Sequence, residues 1–218
     1  MLRANRATGQ TVNAVNLEQN RANIVGDRSD EEGRRCQTLI GLFDRCFRQT
    51  ENTVLIKGGD EPIYLPAGSC DVQVENGAVS ACHRVVFARG YPSSALHEIA
   101  HWCIAGHARR QQVDYGYWYE PDGRSAWQQA QFERVEVKPQ ALEWVLSTAA
   151  AWPFAISADN LSGEATDPAR FKQAVLEQVK TYCRTGLPDR AQRFRQALVT
   201  YFDTDPKLQP EQFSAAFL

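Results

Sequence analysis

Two histidines stand four residues apart in His97-Glu98-Ile99-Ala100-His101. On a helix, positions i and i+4 share a face one turn apart, so the two imidazoles can hold one metal ion. Glu98 lies one position off that line and can reach the metal's water or a bound ligand, which makes it the candidate catalytic acid or base. Two histidines leave a metal site incomplete, and a third ligand is needed. The stretch Gln131 to Trp144 offers Glu133, Glu136 and Glu143. Glu136 is the first choice and Glu133 the second. Pro139 cannot donate to the Val135 carbonyl, so the backbone should bend beside Glu136 and aim it.

Two histidines and one carboxylate leave open positions opposite them. With zinc such a site activates water for hydrolysis, and with Fe(II) it activates dioxygen. Spacing alone does not choose between the metals. The chain has no H-x-D motif, so the common oxygenase pattern built on it is absent. His107 lies ten residues after His97, where metzincin proteases place a third ligand. That pattern also needs glycine where this chain has Ile104, and a later Met-turn, whereas the only methionine is Met1. His107 is therefore expected to sit at the helix C-terminus against its dipole, and His83 on the surface at a strand start.

These groups need rigid elements to hold them. The histidine pair belongs to a helix expected over about residues 95–109, after a turn at residues 90–94 that ends in N-cap serines. Apolar Leu96, Ile99, Trp102 and Cys103 back it. The carboxylates belong to a long helix over about 125–151. Strands are expected at Thr53–Lys57, at Arg84–Ala88 and at Val113–Tyr119, and the Gly59–Pro66 stretch is extended because its two prolines forbid a helix. Residues 70–81 read as a loop or hairpin. Amphipathic helices are expected from Cys36 to Phe47, after Pro168, and from Asp189 to Phe202. Helices and strands mix without βαβ regularity, so the class is α+β, one domain with a small mixed sheet. Residues 1–35 lack any aromatic residue and read as a flexible extension; 36–205 form the domain and 206–218 a tail.

Composition narrows the function. The chain has 218 residues, 24 Lys+Arg against 26 Asp+Glu, and a net charge of -2. That balance argues against a nucleic-acid partner. No apolar run approaches the roughly 20 residues that span a bilayer, and the first residues hold no apolar signal region. The expected setting is the cytoplasm, with no membrane partner. The six cysteines form no C-x-x-C pair and read as reduced core thiols.

Long motifs carry a resemblance. Ile56-Lys-Gly-Gly-Asp-Glu-Pro-Ile-Tyr-Leu-Pro-Ala67, Ser94 through Gly106, Val113-Asp-Tyr-Gly-Tyr-Trp-Tyr119, Glu133 through Trp144 and Asp159-Asn-Leu161 resemble the bacterial elongation factor P hydroxylase family. The resemblance covers roughly residues 39–201. It implies a non-haem Fe(II) hydroxylase that uses dioxygen and acts on elongation factor P, at the lysine already extended with a β-lysyl group. It also implies a two-His, one-carboxylate metal set, which maps onto His97, His101 and Glu136. The family fold is similar to that of a metal-dependent endoribonuclease of the ribosomal RNA maturation type. A zinc hydrolase with Glu98 as general base, and a non-catalytic metal-binding module, are the alternatives. A β-lysyl-lysine side chain is long and doubly cationic, so its site should offer carboxylates and aromatic faces. Asp60, Glu61, Asp114 and Trp118 are the expected substrate-binding residues.

Overall fold

The computed structural model describes residues 30–69, 80–115, 123–157 and 168–215. The first described helix, α1, covers residues 30–47. It buries Cys36, Leu39, Leu42, Phe43 and Phe47 at helical spacing. It continues N-terminal of Cys36 to include Asp30. Three strands follow: β1 Thr53–Lys57, β2 Ile63–Leu65 and β3 His83–Phe87. They form a mixed sheet of order β1-β3-β2, with β1 parallel and β2 antiparallel to β3. Val85, Val86 and Phe87 are buried, as a central strand requires.

Helix α2, Pro92–Ile104, leaves the sheet through Gly90. Gly90 has φ +76°, a conformation that strains any side chain; the nearest atom a Cβ would meet, Lys57 Cε at 2.7 Å, belongs to the movable end of a flexible side chain. The expected serine cap does not form. Tyr91 is the N-cap and Pro92 opens the helix, where its missing N–H costs nothing and its φ is already helical. The Ser94 hydroxyl instead accepts from the Ala88 amide at 3.0 Å.

Helix α2 also ends earlier than expected, at Ile104. Arg190 is the physical reason. Its guanidinium donates to the carbonyls of Trp102 (3.0 Å), Cys103 (3.2 Å) and Ala105, and stacks 4.8 Å from the Trp102 ring. The last carbonyls of the helix are thus satisfied by a cation from elsewhere in the chain. His107 consequently lies beyond the helix, exposed in a turn, rather than in its last turn. His83 is half-buried rather than on the surface: its Nδ1 accepts from the Ala67 amide at 3.0 Å and its ring stacks on Tyr64.

Helix α3, Ala126–Ala149, starts in a Ser125–Gln128 capping box and runs through Pro139. Helices α4 (Pro168–Thr185) and α5 (Asp189–Phe202) pack on it. Phe171, Val175, Leu176, Val179 and Tyr182 of α4 are buried, as periodicity indicated. Among the described residues one core joins the five helices, with Phe43, Phe47, Trp102 and Phe194 in edge-to-face or tilted contact. Residues after 205 pack back on the domain, since Phe213 is buried with its ring 5.2 Å from Trp144. The expected strand at 113–119 is reduced, in its described part, to one bridge between Asp114 and Tyr64; residues 116–119 lie outside the described residues, as do 70–79 of the expected loop. No described helix is long and apolar enough to cross a membrane.

Arg190→Met should remove the helix-capping bonds while keeping a similar apolar stem. We expect a loss of about 2–4 kcal/mol of stability in denaturant unfolding. A change below about 0.5 kcal/mol would show that water satisfies those carbonyls equally well.

Candidate metal centre

The site arises where α2 crosses α3. Apolar Leu96, Ile99, Ala100 and Cys103 of α2 bury into the core, which turns His97 and His101 toward α3. From α3, positions 136, 140 and 143 share the opposing face at spacings of four and three. Glu136, Gln140 and Glu143 are all buried there. Charged side chains go into such an interface only when paired or when holding a metal.

The distances show the pairing. His97 Nε2 and His101 Nε2 lie 3.0 Å apart. Glu136 Oε1 is 3.4 Å from His101 Nε2, and Glu136 Oε2 is 3.4 Å from His97 Nε2. His97, His101 and Glu136 form a group whose ligand atoms all lie within 4.8 Å of one another. Nitrogens and oxygens bound at about 2.0–2.2 Å to one ion, at angles near 90–110°, are about 3.0–3.5 Å apart. The three side chains therefore fit one ion. Glu136 Oε2 is a buried oxygen without a hydrogen bond of normal geometry, which a metal bond would satisfy.

Glu143 fixes the first histidine. Its Oε2 lies 2.8 Å from His97 Nδ1. An ionised carboxylate only accepts, so Nδ1 keeps its proton and Nε2 is the nitrogen left to give up its proton to a metal. Burial pushes the His97 pKa down, but the Glu136 and Glu143 carboxylates outweigh it and hold it well above the ordinary value. Burial likewise pushes Glu136 up, and the two imidazoles more than reverse this, holding it below the usual carboxylate range. The centre is thus built to hold positive charge between carboxylates.

Glu98 has the opposite character. Burial raises its pKa, and the neighbouring imidazoles only partly oppose this. It lines a cavity of about 30 Å³ with His101, Trp102, Tyr64, Arg109, Arg110 and Asp114. That is room for a water molecule or two.

The remaining expected residues are spread more widely. Glu133 is not in the ligand group; its Oε1 accepts from Gln129 Nε2 at 3.0 Å. Asp114 reaches the cavity wall, but its carboxylate is bridged by both Arg109 Nε and Arg109 Nη2, the latter at 2.9 Å. Asp60 is 89% exposed and faces Arg89 at 3.4 Å, and Glu61 is exposed on the same turn. Neither is a described wall of the cavity. Trp118 lies outside the described residues. The sequence reading considered Glu143 only as a ligand and missed its part as the partner of His97. The signal was its i+7 spacing from Glu136, two turns along the same face.

Comparison with known proteins points one way. The model of the elongation factor P hydroxylase family (EpmC) matches residues 42–213. A protein of Haemophilus influenzae named elongation factor P lysine hydroxylase is 52% identical over 179 residues, which is 82% of this chain and 96% of that protein.

His97→Ala or His101→Ala should abolish stoichiometric metal binding while the protein still unfolds cooperatively. Glu136→Gln should lose metal, Glu133→Gln should retain it, and Glu143→Gln should weaken it about 10- to 100-fold. Metal titration of each variant checks this. Loss in Glu133→Gln with retention in Glu136→Gln would move the third ligand one turn. Metal affinity should also fall as pH is lowered, because protons compete for His97, whose pKa is raised.

Proposed function

Because this chain belongs to the elongation factor P hydroxylase family, we propose that it hydroxylates the β-lysylated lysine of elongation factor P, with dioxygen at a non-haem Fe(II) held by His97, His101 and Glu136. The observation that carries the reading is the convergence of the two Nε2 atoms and the Glu136 carboxylate within a family of hydroxylases. Two imidazoles and one carboxylate suit Fe(II) and leave other coordination positions open. Bound there, iron would supply the one-electron chemistry that lets ground-state dioxygen react with a C–H bond. One oxygen atom enters the substrate. The other leaves as water, which takes two protons and two electrons from a reductant.

The protein's own groups supply orientation and protons. Glu143 holds His97 in the tautomer that presents Nε2. Glu98, with its pKa raised by burial, holds a proton beside the reacting groups to a higher pH than a free carboxyl would. The cavity it shares with His101 and Trp102 limits the water that can reach them. Asp114 remains the expected substrate carboxylate closest to this cavity. An approaching ammonium would have to share it with Arg109. The proposed setting is the cytoplasm, where elongation factor P works.

The test is anaerobic purification, metal analysis, then addition of oxygen, a reductant and β-lysylated elongation factor P. The reading predicts iron-dependent oxygen uptake and a mass gain of one oxygen atom on that lysine, with zinc-loaded protein inactive. Glu98→Gln should lower kcat about 10²- to 10⁴-fold with metal retained. Tight zinc with cleavage of a peptide bond would replace this reading by a hydrolase.

A further inference from the structure

The cavity beside Glu98 has a volume of about 30 Å³, so it admits only the tip of a side chain. Specific binding of a whole protein buries about 800 Å² on each partner. An enzyme that modifies a protein must therefore gain most of its hold on that protein outside such a cavity. A wider opening, of about 770 Å³, lies between α1 and α5. Leu42 and Arg45 of α1 line it, with Arg193, Gln196, Ala197 and Tyr201 of α5. From Arg193 to Tyr201 it follows α5 for about 12 Å. It shares no lining residue with the metal group or with the cavity beside Glu98.

The groove carries one sign of charge. Arg45 and Arg193 are exposed, and among the described residues that line the groove none is acidic. The nearby Arg48 is answered by Asp44 at 2.8 Å, whereas Arg45 and Arg193 pair with no described carboxylate. Neutral groups hold them instead. Arg193 Nη1 donates to Thr50 Oγ1 at 3.0 Å, and its guanidinium lies 5.6 Å from the Phe47 ring. Arg45 Nη1 lies back over Gly41, 3.5 Å from where a Cβ would stand. Burial pushes the Cys46 thiol up, and both guanidiniums oppose this, which puts their charges around one point of α1. The floor is apolar, with Leu42 buried and Ala197 half-buried, and Tyr201 stands 56% exposed at the edge. Tyrosine and arginine over a desolvated floor are the residue types that dominate binding energy between proteins.

We propose that the groove between α1 and α5 is a docking site for an acidic segment of the protein substrate, apart from the metal centre that receives its lysine. The identity of the partner rests on the hydroxylase reading. The acidic character of the segment rests on the two arginines. A net charge of -2 over the whole chain gives no broad field for a nucleic acid, so a protein segment is the occupant.

The experiment titrates the full-length, metal-loaded protein with intact β-lysylated elongation factor P. Wild type is compared with a variant carrying both Arg45→Glu and Arg193→Glu, and with a milder one carrying Arg45→Gln and Arg193→Gln. The charge-reversed variant should raise Kd about 10- to 100-fold at low salt, with metal content and kcat at saturating factor unchanged. The glutamine variant should fall between it and wild type, and it decides the matter if the charge-reversed variant does not fold. Wild-type binding should weaken with added salt more steeply than that of either variant. Equal Kd and equal salt dependence in the variants would overturn the inference. A photo-cross-linking residue in place of the exposed Tyr201 reads the occupant directly. Attachment to an acidic segment of added elongation factor P supports the docking site. Attachment to residues 1–29 of the same chain, or to a second copy, overturns it. Wild type that binds the factor through the groove without hydroxylating it would sink the hydroxylase reading and support the docking site.

Discussion

The structure depends on one constraint, the packing of two half-buried imidazoles against two buried carboxylates in the crossing of α2 and α3. An apolar interface makes an unpaired charge very costly, so each of these groups must be answered by another. His97 illustrates the balance: burial disfavours its charged form, and two carboxylates more than compensate. The balance works only if α2 and α3 are held in register. The aromatic cluster around Phe43 and Trp102, and the Arg190 guanidinium on the end of α2, supply that. The core therefore folds around the polar group instead of being created by it, which is why metal and fold should be separable.

The same crossing gives the site two unlike sides. On one side, α3 sets Glu136 and Glu143 against the imidazoles and holds negative charge. On the other, Glu98 faces a small cavity where burial favours its neutral form. Two carboxyl groups pushed in opposite directions can divide the work, one kept ionised to hold a cation and the other kept as a proton carrier.

Much of this was legible in the sequence, because helix periodicity fixes which residues share a face. The i, i+4 spacing of His97 and His101 follows from it, while the choice of Glu136 over Glu133, which share a face, rested on Pro139 beside Glu136. Strands β1 and β3 were legible because short apolar runs bounded by glycine or polar residues leave few alternatives. What was not legible depended on partners distant in the chain. The end of α2 is set by Arg190, 86 residues beyond Ile104. The start of α2 turned on Pro92 outcompeting two serines, a contest that local preference decides only narrowly. Asp60 and Asp114 had suitable chemistry, but arginines at 89 and 109 pair with them, and such pairing is invisible until the chain is folded.

The central claim is that His97, His101 and Glu136 share one ion. X-ray absorption at the metal edge of the iron-loaded protein measures that coordination shell directly. The account predicts two imidazole nitrogens per iron among nitrogen and oxygen neighbours at about 2.0–2.2 Å, without sulfur. A shell with a cysteine sulfur, or with fewer than two imidazoles, would contradict it.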